Sequence, residues 1–141
     1  MDLLDIFSVS ASGLTAQRVQ LQAVASNMAN ARTTRSADGT IEPYRRQMPV
    51  FEARRETFGS ALEQAMAHVD VIDVWESDDP GVLVYDPTHP DADVEGYVTF
   101  PNVNILEEMV DMMTASRVYE ANTNVVKTTR ELADAALQIG R

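Results

Sequence analysis

The side chains with the plainest capacity for chemistry sit in one short run: Asp86, His89, Asp91 and Asp93. Carboxylates and an imidazole can hold a divalent cation, or act as an acid and a base, when their geometry converges. Here Pro87 and Pro90 interrupt the run, and no His-x-Glu or Asp-x-Asp-x-Asp-Gly loop is complete. The only other histidine in the chain is His68. There is no cysteine, which excludes disulfides, thiolate metal sites and a cysteine nucleophile. A phosphate-binding glycine loop and a nucleophile elbow are both missing from the sequence. The expectation is a protein that is not an enzyme, with no catalytic residue, no cofactor and no metal.

The acidic residues of that run belong to a wider asymmetry. Residues 61–100 carry ten acids and no Lys or Arg, whereas residues 1–60 carry seven Arg against six acids. Residues 101–141 carry six acids and four bases, and the chain's net charge is −11. An acidic middle repels phosphate, so nucleic acid is not an expected partner. Such a stretch reads as a solvated surface, or as an acidic face awaiting basic partners.

The elements that must position these residues come from the periodicity. The chain has 141 residues, one domain's worth, and its 45% apolar content is enough for a core, although aromatics make up only 6%. Near the N-terminus Phe7, Leu14, Leu21 and Met28 are spaced by sevens with no proline among them, and Val24 lies beside them. This predicts a helix from Asp2 or Leu3 to about Ala31. Gly13 is its one weak point, costing about 1 kcal/mol relative to Ala. Near the C-terminus Ile105, Met112, Tyr119, Val126 and Ala133 repeat the same spacing. Asn104 followed by Glu107 resembles a capping pair, and neither proline nor glycine follows before Ile139. That helix would be roughly 50 Å long.

Between the helices the signals are turns and short strands. Thr33, Thr34, Ser36, Asp38 and Gly39 mark a break, and Pro43 and Pro49 bracket an extended piece, Tyr44 to Met48. A short helical stretch is expected around Ser60–Ala67. Val69–Trp75, Val82–Tyr85 and Gly96–Phe100 read as strands, separated by Asp79-Pro80-Gly81 and by the run from Asp86 to Pro90. The expected fold is mainly α with a small β section: long terminal helices paired as a coiled coil around a loop-rich, short-stranded centre. The expected division is 1–32, 33–103 and 104–141.

A seven-residue apolar repeat is a stripe along a helix, and a stripe needs a partner. A helix of this length cannot bury its stripe on a centre of about 70 residues. It must pack on the first helix, on other chains, or on both, and ordering of the terminal helices is expected to accompany assembly. The candidate interface is therefore Phe7, Leu14, Leu21, Val24, Met28, Ile105, Met109, Met112, Met113, Tyr119 and Val126. Asn27 and Asn30 either satisfy backbone groups at the helix end or fix a turn or subunit register. Asn122 and Asn124, in mid-helix where Asn is a poor former, point toward register. Met109, Met112 and Met113 suit a surface that accepts several non-identical partners.

Particular motifs carry a resemblance. Ala11-Ser12-Gly13-Leu14-Thr15-Ala16-Gln17, then Ala25-Ser26-Asn27-Met28-Ala29-Asn30 and Thr33-Thr34, resemble the N-terminal signature of the axial proteins of the bacterial flagellum, the rod and hook group. Pro43-Tyr44-Arg45-Arg46-Gln47 is similar to the segment that follows it. Val84 to Asp93, Glu95 to Val98, Pro101 to Asn104, Glu108 to Met113 and Ala115 to Asn122 resemble the proximal rod subunits of that group, over nearly the whole chain. Thr88 stands where those proteins commonly have Gly, and Met28 where Ile is commoner.

The resemblance implies a structural subunit of the proximal rod, assembled helically through its terminal helices to transmit motor torque across the periplasm. The implied partners are other rod proteins and copies of the chain, the membrane-embedded ring and export apparatus at the rod base, and the distal rod. No apolar run reaches the roughly 20 residues that span a bilayer. Asp2 and Asp5 replace the basic start of a secretory signal peptide. These features alone point to the cytoplasm. The resemblance instead implies passage through the flagellar type III export route without a cleaved signal. The alternative is a soluble helical adaptor or flagellar export chaperone, against which the long proline-containing centre argues.

Overall fold

The computed structural model describes residues 3–55 and 67–139. Helix α1 spans Leu3–Ala29, and α2 spans Ile105–Ile139. Between them run β1 (Gln47–Arg55), β2 (Ala67–Glu76), β3 (Val82–Tyr85) and β4 (Tyr97–Phe100). The two helices pack on each other, and β1 and β2 lie against α1. Two long terminal helices around small two-stranded sheets is the expected fold.

Local chemistry sets the ends of the helices. At the start of α2 the Asn104 side-chain oxygen accepts from the Leu106 amide at 3.1 Å, and its backbone carbonyl accepts from Glu108 at 3.0 Å. Glu107 and Glu108 add negative charge beside the amide-rich end of the helix dipole. At the close of α1 the Ser26 carbonyl accepts twice from Asn30, from its backbone amide and from its side-chain amide, both at 3.0 Å. Asn30 also accepts from the Thr33 hydroxyl, and the Thr33 carbonyl accepts from the Tyr44 amide. The threonine-rich break thus folds the chain back beside the helix it has just left.

Strands β1 and β2 form one antiparallel pair, from Gln47 opposite Glu76 to Arg55 opposite Ala67. The register shifts between Val50 and Phe51, leaving Ile72 as the extra residue of a bulge. The extended piece expected to stop at Pro49 instead continues through it. A two-stranded sheet has free edges, where a residue without an N–H costs no ladder bond. Residues 60–66 of the expected short helix lie outside the described residues, and Ala67 opens β2 rather than closing a helix.

Strands β3 and β4 make a second antiparallel pair, with the Tyr85 and Tyr97 rings edge-on at 5.3 Å. The loop between them needs Gly96, whose φ is +86° and where a Cβ would come within 2.9 Å of the Tyr85 ring. The buried apolar side chains are small: Ala16, Ala23, Val24, Ala31, Val98 and Ala115. Large rings are accordingly few, as the composition implied.

Candidate functional site

The helices are antiparallel, and two contacts define how they align. Asn27 of α1 reaches Glu108 of α2, and Gly13 of α1 faces Asn122 of α2. A Cβ on Gly13 would stand 3.0 Å from Asn122 Nδ2. The glycine that costs helix propensity is the place where the helices approach closely enough for Asn122 to cover bare backbone. On α2 the inner line is Glu108, Ala115, Asn122 and Thr129, spaced by sevens and small or polar, with Met112, Val126 and Ala133 half-buried beside it. On α1 Ser10, Ala16, Ala23, Val24 and Asn27 are buried.

The large apolar side chains that define the stripes lie elsewhere. Phe7, Leu14, Leu21 and Met28 are half-buried, each one position round the helix from the Ile6, Gly13, Gln20, Asn27 line, a rotation of about 100°. Ile105 is 43% exposed and Tyr119 38%, so neither is enclosed by α1. Met109 and Met113 are exposed, with Leu106 at 73% and Val110 next to them. The seam inside the chain is therefore made by small and polar residues. Most of α2's bulk hydrophobic surface faces away from it.

One end of the seam is closed by a buried polar junction. Asn27 is 1% exposed and makes four hydrogen bonds. Its amide donates to the Gln47 carbonyl at 2.9 Å and to Glu108 Oε2 at 3.1 Å. Its oxygen accepts from the Gln47 amide at 2.8 Å and from the Tyr44 hydroxyl at 2.9 Å. With Gln47 it thus behaves like one more strand partner, joining the helix end to the start of β1. Glu108, also 1% exposed, accepts from Arg46 Nε at 2.6 Å through its other oxygen. Arg46 extends further to Asp111 at 3.8 Å and donates to Met48 Sδ at 3.4 Å. Burial, with the Glu76 and Glu108 carboxylates adding to it, pushes the Tyr44 phenol above its ordinary value, so it remains a donor. Among the described residues no buried side-chain polar atom lacks a partner.

A second junction uses the acidic run. The Asp91 carboxylate accepts from the Thr34 hydroxyl at 2.7 Å and from Arg35 Nε at 2.6 Å. The Arg35 and Thr34 hydrogen bonds hold its carboxyl below the usual range. Asp86 accepts from the Thr88 amide at 3.1 Å and hydroxyl at 2.7 Å, which lowers its pKa in the same direction. Asp93 accepts from the Glu95 and Tyr97 amides, both at 2.8 Å. His89 Nδ1 accepts from the Asp91 amide at 3.1 Å, and its ring meets Phe100. Each of these side chains builds a turn or ties the loop to Thr34 and Arg35. Among the described residues no His, Asp and Glu cluster is placed to hold a metal ion. Thr88 does not have a positive φ, so the turn is made by its hydroxyl and does not require glycine.

Of the candidate residues, the structure brings Asn27 and Asn122 into the seam, and Asn30 serves the helix end. Glu108, Arg46 and Tyr44 are the members that reasoning from residue types passed over. Their signal was present: Tyr44 and Arg46 lie in the Pro43–Gln47 motif, and Glu108 stands seven residues before Ala115 on one helix face.

Two paired terminal helices around a small β centre are the arrangement the sequence resemblance to flagellar axial proteins implied. A family profile described as "Flagella basal body rod protein" matches residues 7–35, and one described as "Flagellar basal body rod FlgEFG protein C-terminal" matches residues 94–139. The chain is 45% identical to the flagellar basal-body rod protein FlgC of Bacillus subtilis, over 95% of both chains. It is 43% identical to that of Escherichia coli O6:H1 over the full length of both, and 41% to that of Aquifex aeolicus over 98% and 97%. The chain belongs to the FlgC family of flagellar basal-body rod proteins. It is a non-enzymatic structural subunit of the proximal rod. Among the described residues no helix is long and apolar enough to cross a membrane.

Proposed function

We propose that α1 and α2 form the axial wall of the rod, and that the outward face of α2 packs on neighbouring rod subunits and on copies of this chain. The observation that carries this reading is the row Leu106, Met109, Val110 and Met113, exposed although α1 packs along this part of α2. Enclosing such side chains contributes about 25 cal/mol per Å² of apolar area, and contacts between unlike patches propagate as a helical array. Leu132 and Leu137 extend the apolar surface toward the far end of α2. Many such contacts in parallel resist torque, while the two junctions keep each subunit from shearing internally. The hairpins β1–β2 and β3–β4, with the acidic residues, form the outer decoration.

This reading places the chain across the periplasm, between the membrane-embedded ring with its export apparatus and the distal rod, after export without a cleaved signal. The adaptor or chaperone alternative is set aside by the family to which the chain belongs. Leu106→Asp and Met113→Asp put charge on the outward face without touching the seam. Each variant should keep its helical circular dichroism yet be absent from purified basal bodies and fail to support swimming. Leu21→Asp and Met112→Asp, at half-buried positions, should also abolish incorporation. Normal swimming by the two outward-face variants would contradict the reading.

A further inference from the structure

The two seam contacts share one alignment. Asn27 meets Glu108 and Gly13 meets Asn122, so both pairs of residue numbers lie fourteen apart, in opposite senses along the two helices. Fourteen residues are two heptads, about 21 Å of helix. The buried side chains between them are mostly small, Ala16 and Ala23 on α1 and Ala115 on α2, with Val24 the larger apolar residue near the Asn27 end. Small side chains interdigitate weakly, so this stretch does little to oppose sliding of one helix past the other. The Asn27–Glu108 hydrogen bond and the close fit of Asn122 over Gly13 do oppose it.

We infer that the Asn27–Glu108 and Gly13–Asn122 contacts are a pair of register pins, which select one axial alignment of α1 against α2 while nonpolar packing supplies the pairing itself. Slipping α2 by one turn would bring Val118 or Tyr119, or else Val125 or Val126, toward Gly13, where a single added carbon already lies 3.0 Å from its neighbour. The same slip would leave Glu108 and the Asn27 amide buried without each other, the most costly state for a polar group in a low-dielectric site. A lone buried Asn fixes alignment in coiled coils by the same logic. Here the two pins sit at separate levels, so a slip that relieved one would still violate the other. The pins also fix the height of Leu106, Val110 and Met113 relative to β1 and β2, because Arg46 and Gln47 hang from the same junction. The inference concerns the single chain and stands independently of the rod-wall reading.

The chain has no native cysteine, so paired labels report the alignment directly. Ala29→Cys and Lys127→Cys, both at exposed positions, carry nitroxide labels in the full-length chain, about 30 Å apart along the seam. Electron spin resonance should give one narrow distance. Adding Glu108→Leu with Asn122→Ala removes the α2 side of both pins while Asn27 keeps its bonds to Gln47. Helical content should persist, and a second distance, displaced by about one turn or 5 Å, should appear. A single unchanged distance would overturn the inference. So would loss of helical content, because the pairing itself would then depend on these contacts. In a second test Gly13→Asn alone should displace the distance, and Gly13→Asn with Asn122→Gly should restore it. An undisturbed distance in the first, or no recovery in the second, would also overturn it.

Discussion

Glu108 shows how one side chain can hold three segments. It is buried on α2, answers Asn27 of α1 with one oxygen, and holds Arg46 of the chain leading into β1 with the other. Removing one partner of a buried, hydrogen-bonded charge pair costs far more than the pair contributes on balance. Glu108→Ala removes one of the two acceptors of the Asn27 amide and leaves Arg46 without this carboxylate, and should lower stability by about 2–4 kcal/mol, whereas Glu108→Gln keeps an acceptor for Asn27 and should cost about half as much. Urea unfolding of the two variants checks the order. Equal losses would mean that charge, not hydrogen bonding, dominates the junction.

Asp91 makes the parallel case at the second junction. Its pKa is depressed by Arg35 and Thr34, so its stabilisation is fully present above the ordinary carboxylate value of about 4. It is lost as pH falls through the lower folded value. Acid should therefore free the Asp86–Gly96 loop from Thr34 and Arg35, and Asp91→Asn should remove that pH dependence. Amide exchange of the loop between pH 5 and 2 reads both effects.

At the level of elements, both helices and three of the four strands were legible in periodicity and turn chemistry. β1 was legible only at Gln47 and Met48, because Pro49 looked like a terminator and is tolerated on an edge. The seam was legible only at Asn27 and Asn122. Hydrophobic spacing marks large side chains, and this seam is lined by Ala, Ser, Gly, Asn, Thr and Glu. Gly13 reads in sequence as a defect, and only the position of Asn122 opposite it shows the fit. Glu108 and Asn27 are 81 residues apart, a pairing that no local pattern encodes. The cap at Asn104 was legible, and it is testable alone. Asn104→Ala should cost about 1 kcal/mol by freeing the Leu106 amide, measured as a lowered thermal midpoint.

For the whole molecule, the division of labour follows from where bulk lies. Small and polar side chains close α1 on α2, and the large apolar ones face outward from α2 or remain half-covered on α1. The apolar stripes seen in sequence therefore do not simply pair with each other. A separate apolar face of α2, Leu106, Val110 and Met113, is still open in the single chain, as the proposed assembly requires. Electron microscopy of purified basal bodies, with density assigned to this chain, tests that claim most directly. The account predicts Leu106, Val110 and Met113 enclosed by helices of neighbouring subunits, with both hairpins on the outer side of the rod. A rod in which that face of α2 meets solvent while the hairpins make the subunit contacts would contradict it.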